Sequence, residues 1–148
     1  MSEQQIIIAV SGNGGEKPHI EAGLRQAKLL DASVRIVHVV RMLLVPAGYA
    51  VGDVTAFEAK ANDPCSHVDG LRAYVEQVLE RPLEPGEAAF TAIRGDDVEE
   101  LIELSGTCTM LVLGHHHING FLHIFTHTVD ERIINRARCP VLIVPEVG

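Results

Sequence analysis

The run Ile6-Ile7-Ile8-Ala9-Val10 is apolar at every position and stops abruptly at Ser11-Gly12-Asn13-Gly14-Gly15. A strand with one wet face alternates apolar and polar residues. An unbroken run is buried on both faces, which requires layers packed above and below its sheet. Similar runs recur in Met110-Leu111-Val112-Leu113 and Val141-Leu142-Ile143-Val144 and, with Arg35, His38 and Thr91 interspersed, in Val34 to Val40 and Ala88 to Ile93. Between these runs apolar residues return at helical spacing: Ile20, Leu24, Ala27 and Leu30, then Val68, Leu71, Val75 and Val78, then Val129, Ile133 and Ala137. Pro18 suits a first helical turn, while Asp97-Val98-Glu99-Glu100 and Thr128-Val129-Asp130-Glu131 read as capping boxes. Residues 41–64, with Pro46, Gly48, Gly52 and Pro64, read as an irregular excursion. The reading is therefore α/β: a single domain over residues 1–148, three layers deep, with a five-stranded parallel sheet between helices.

The 148 residues suffice for one core of ordinary size. Twelve Lys and Arg stand against twenty Asp and Glu, a net charge of -8. Most of the excess falls in the second half, which holds five basic against twelve acidic residues. That charge excludes non-specific nucleic-acid binding and docking on an anionic membrane. No apolar run reaches the ~18 residues of a membrane span, and no basic segment precedes the first apolar run. Cys65, Cys108 and Cys139 are an odd, scattered set with no CxxC, so neither a disulfide framework nor a cysteine zinc site is expected. The expected location is cytoplasmic.

In a doubly covered parallel sheet, ligands bind beyond the C-terminal strand ends where strand order reverses. This directs attention to the loops after Val10, Val40 and Leu113. Ser11 to Gly15 is a glycine-rich turn whose amides would suit an anion, although it is neither GxGxxG nor a Walker loop. After Gly114, five of the eight histidines crowd into residues 115–127. Imidazoles suit zinc, copper or nickel, but adjacent histidines diverge, so no metal ligand set is assigned. Thr128 would cap a helix whose free amides could meet a phosphate. His38 reads as a satisfied strand-end histidine and Cys139 as a small buried apolar residue. No catalytic set is assigned.

The order and spacing of these landmarks resemble the universal stress protein family over nearly the whole chain. The residues that carry the resemblance are Ile7-Ile8-Ala9-Val10, Ile36-Val37-His38-Val39-Val40, Gly95 to Ile102, Leu111-Val112-Leu113-Gly114, and Cys139-Pro140-Val141-Leu142-Ile143-Val144-Pro145. The resemblance implies a Rossmann-like sheet of order 3-2-1-4-5, and a homodimer paired through the edge strand Val141 to Val144. It also implies ATP or AMP, with Mg, held by Gly-x2-Gly-x9-Gly-Ser/Thr after strand four. Here that spacing falls on Gly114, His117, His127 and Thr128, so histidine replaces two of the three glycines. The family's strand-one Asp falls on Ser11, with Gly12 and Val40 implied beside the nucleoside. Gly-His-His after strand four is also similar to the UspA-type branch, whose members lack the ATP motif.

Three readings follow. The first is a homodimeric regulatory or protective module of the stress response, with adenine nucleotide binding left open by the two histidines. The second is a nucleotide-binding α/β enzyme using the Ser11–Gly15 loop. The third is a metal or pH sensor built on the histidines of residues 115–127. The stress, the downstream protein partner and the role of residues 41–64 are not specified by the sequence.

Overall fold

The computed structural model describes residues 3–45, 55–58, 63–115 and 129–145. Its elements are β1 (Gln5–Val10), α1 (Lys17–Leu30), β2 (Ser33–Val45), β3 (Thr55–Glu58), a 3-10 turn (Pro64–Ser66), α2 (Val68–Leu79), β4 (Ala89–Gly95), α3 (Asp97–Ser105), β5 (Met110–His115), α4 (Val129–Ile134) and β6 (Val141–Pro145). Five strands run parallel in the order β4-β2-β1-β5-β6. Counting only these five, the order is 3-2-1-4-5.

The unbroken apolar runs are explained by two cores. Ile6, Ile8 and Val10 point to one face, where Ile20 and Leu24 of α1 and Leu71 and Val75 of α2 meet them. Ile7 points to the other, against Val98, Leu101 and Ile102 of α3 and Ile133 of α4. Alternate side chains of one strand thus enter opposite layers, and both layers are dry. Gly23 permits the close approach of α1: a Cβ there would lie 2.4 Å from the Ile8 side chain.

Two local readings are corrected. Residues 41–64 are not irregular throughout. β2 continues to Val45, and Met42 to Val45 pairs antiparallel with Glu58 to Thr55 of β3. The apolar residues Met42-Leu43-Leu44-Val45 carry the strand beyond Val40. The cap of α3 is Asp96 rather than Asp97: its carboxylate accepts from the Glu99 amide at 2.9 Å. The proposed cap Thr128 lies outside the described residues. Among the described residues no helix is long and apolar enough to cross a membrane.

Candidate functional site

Strand order reverses between β1 and β5: from β1 the chain proceeds through α1 to β2 on one side, while β5 and β6 lie on the other. The last paired residues of the two strands are Ile8 and Val112. Two residues further along stand Val10, followed by Ser11 and Gly12, and Gly114. Val40, buried, lies near the same end of β2, two residues past the His38 that pairs with Val10. The fold therefore brings Ser11, Gly12, Val40 and Gly114 to one end of the sheet. His117, His127 and Thr128 lie outside the described residues, as do the other histidines of the cluster apart from His115.

The exit of β1 is organised by buried polar side chains. His19 of α1 donates from Nε2 to the Ala9 carbonyl at 2.8 Å, and its Nδ1 is buried with no hydrogen-bond partner. His38 of β2 donates from Nδ1 to the Val10 carbonyl at 2.9 Å. Its Nε2 meets the Asp63 carboxylate at 2.6 Å. Both His38 nitrogens are thus engaged, as a satisfied strand-end histidine requires. Asp63 also accepts from the Cys65 amide at 2.9 Å, so one carboxylate ties the 3-10 turn to the centre of the sheet.

The glycine-rich turn holds an anion, and the anion is its own. Glu16 is 1% exposed. Its carboxylate accepts from the amides of Ser11 at 2.7 Å and Gly12 at 2.8 Å. The Tyr74 hydroxyl donates to the same carboxylate at 2.6 Å and accepts from the Gly14 amide at 2.8 Å. The Gly15 amide goes to Asn13 Oδ1 at 2.9 Å. Gly12 and Gly14 adopt φ of 88° and 90°, which lets successive amides converge on one acceptor. Burial, then the bond to Glu16, raises the Tyr74 pKa well above that of an ordinary phenol. In a loop that read as a free anion cradle, the Ser11, Gly12, Gly14 and Gly15 amides are therefore already bonded within the chain.

Glu16, Asp63 and Tyr74 escaped the sequence reading. Glu16 had one visible marker, an acidic residue between a glycine turn and the Lys17-Pro18 helix start. Asp63 before Pro64 is a local turn signal, but its bond to His38 and that of Tyr74 to Glu16 had no marker, since those partners lie 25 and 58 positions away. Among the described residues no three His, Cys, Asp or Glu side chains gather as a metal ligand set.

A family model described as the universal stress protein family matches residues 3–145. A universal stress protein of Mycobacterium tuberculosis is 26% identical over 160 residues, covering 99% of this chain and 50% of that protein. The chain spans about half the length of the mycobacterial relatives it matches. Universal stress protein YxiE of Bacillus subtilis is 25% identical over 145 residues, covering 95% of this chain and 97% of that one. Among solved structures, a universal stress protein in complex with cAMP superposes with a TM-score of 0.65 at 16% identity, covering 99% of this chain and 100% of that one. One from Archaeoglobus fulgidus in complex with dAMP gives 0.59 at 13% identity, covering 97% of this chain and 99% of that one.

Proposed function

The chain belongs to the universal stress protein family, and from that premise we propose a homodimeric stress-response module that holds an adenine nucleotide, ATP or AMP with Mg²⁺, across the ends of β1 and β5. The observation that carries this reading is the reversal of strand order between those two strands, the place where sheets of this kind bind ligands, beside Ser11, Gly12 and Gly114. The complexes of two structural neighbours with cAMP and dAMP support an adenine nucleotide as the ligand class.

The hydrogen bonding divides the proposed site. The Ser11 and Gly12 amides already serve Glu16, so that side is assigned to the nucleoside, with Val40 behind it. The phosphates are assigned to the segment after β5, through Gly114, His117, His127 and Thr128. There imidazoles would donate where the family's motif uses backbone amides beside glycine. The reading is one of binding rather than rapid turnover. His38 has both nitrogens engaged, and both nitrogens of His19 are buried, so neither side chain is placed to take a proton from a bound substrate.

Isothermal titration of metal-free protein with Mg-ATP and with AMP tests this. Binding in the micromolar range is expected, with Thr128→Ala weakening ATP by about tenfold, roughly 1.4 kcal/mol. No heat up to millimolar nucleotide would overturn the reading and place the chain with the UspA-type branch. Unchanged ATP affinity in Thr128→Ala would remove the phosphate assignment.

A further inference from the structure

At the opposite end of the sheet, two of the three cysteines meet. Cys108 lies in the turn between α3 and β5, and Cys139 precedes Pro140 at the entry to β6. They are 31 positions apart in sequence, and their Sγ atoms are 3.7 Å apart. Register explains the meeting: Leu111 pairs with Val141, so the segments leading into these adjacent parallel strands converge. Both cysteines are partly buried, and the Cys139 thiol also donates to the Pro140 carbonyl at 3.4 Å. A disulfide needs sulfurs at about 2.05 Å, so the remaining approach is under about 2 Å, within the reach of side-chain rotation. The third thiol, Cys65, is buried in the core on the other face of the sheet.

We propose that Cys108 and Cys139 are a modification site, a reversible thiol–disulfide couple whose co-substrate is a small-molecule disulfide of the glutathione class. Cys139 is assigned the first attack and Cys108 the second; burial, then the neighbouring Cys139 sulfur, holds the Cys108 thiol above its ordinary range. The Cys139 thiolate attacks one sulfur of the small disulfide, breaking its S–S bond, forming a mixed disulfide and releasing one small thiol. Cys108 then loses its proton and attacks Cys139 Sγ, which expels the second small thiol. Two electrons and two protons pass from the protein thiols to the small disulfide, which becomes two thiols. The closed ring spans residues 108–139, so it encloses β5, α4 and the whole segment between them. The inference does not depend on nucleotide binding.

The test equilibrates the full chain in buffers of graded reduced-to-oxidised glutathione, quenches with acid, alkylates free thiols after unfolding, and maps peptides by mass. The expected oxidised product has lost two hydrogens, links Cys108 to Cys139 within one chain, and leaves Cys65 alkylated. The Cys108→Ser variant should stop at a glutathione adduct on Cys139, and Cys139→Ser should form no intramolecular bond. The proposal is overturned if the unaltered chain stops at the adduct, if Cys139 links two chains, if the bond involves Cys65, or if both thiols stay reduced throughout the series.

Discussion

Glu16 takes three hydrogen bonds at 1% exposure, and the sharpest reporter of that arrangement is the residue that closes it, Tyr74. An ionised phenol would face the Glu16 carboxylate at 2.6 Å in a poorly hydrated place, so the folded protein keeps its proton. The folded pKa is raised above the unfolded value of about 10. The contribution to stability is therefore complete below about pH 10 and is lost as pH rises into the window above it. In a Tyr49→Phe background Tyr74 is the sole phenol, and its ultraviolet absorbance should show no titration near pH 10 while the chain is folded. An ordinary titration at that pH would mean that the turn is not latched by Glu16. His19 is held nearby: a carbonyl can only accept, so Nε2 donates to Ala9, while the buried Nδ1 has no hydrogen-bond partner.

At the scale of elements, the critical joint is between the 3-10 turn Pro64–Ser66 and the first turn of α2. Gly70 sits so close to it that a Cβ would fall 1.9 Å from the Pro64 carbonyl oxygen. The glycine is required here for backbone approach, in a helix where it would otherwise be a poor choice. Gly70→Ala gains about 1 kcal/mol of helix propensity but forces the turn to move. The expected net loss is about 2 kcal/mol by urea unfolding. A neutral or stabilising result would show that the turn shifts freely. Because Asp63 caps this turn while holding His38, the turn is tied to the strand ends at the proposed site. On the other face, the exposed pair Arg136 to Glu99 joins the turn after α4 to α3 with two bonds, and the Arg136 guanidinium holds the Glu99 carboxyl below its usual range. Both partners are exposed to solvent, so the pair serves orientation more than stability.

At the scale of the molecule, β6 leaves a sheet edge that no other described strand covers. The Leu111 amide donates to the Pro140 carbonyl. In a parallel ladder this turns Leu142 and Val144 toward β5, and leaves the amides and carbonyls of Val141 and Ile143 facing outward. An unpaired row of this kind is a template for a second copy, and a homodimer would satisfy it. Ile143→Pro deletes an outward donor without removing a β5–β6 bond, a substitution that an edge strand tolerates. Sedimentation should show a dimer for the unaltered chain and a monomer with preserved circular dichroism for Ile143→Pro. A dimer that survives the change would move the interface elsewhere.

Much of this architecture was legible in the sequence because its cause is local. Continuous runs such as Ile6 to Val10 need two dry faces, and helical periods such as Ile20, Leu24 and Ala27 supply the covering layers. The order of the strands came from resemblance, not from any single run. The sequence also pointed to the loops after Val10 and Leu113, because glycine and histidine there break the pattern of both element types. It misplaced the end of β2 because a glycine- and proline-rich stretch gave no sign of where the apolar run Met42 to Val45 would find a partner. Only the tertiary structure decided what the polar side chains do. Ser11 to Gly15 looks like an open cradle until Glu16 folds back into it and Tyr74 arrives from α2. Cys108 and Cys139 look unrelated until strand register sets them 3.7 Å apart. Apolar periodicity is written along the chain, whereas a hydrogen bond or a thiol pair depends on partners that only the folded topology brings together.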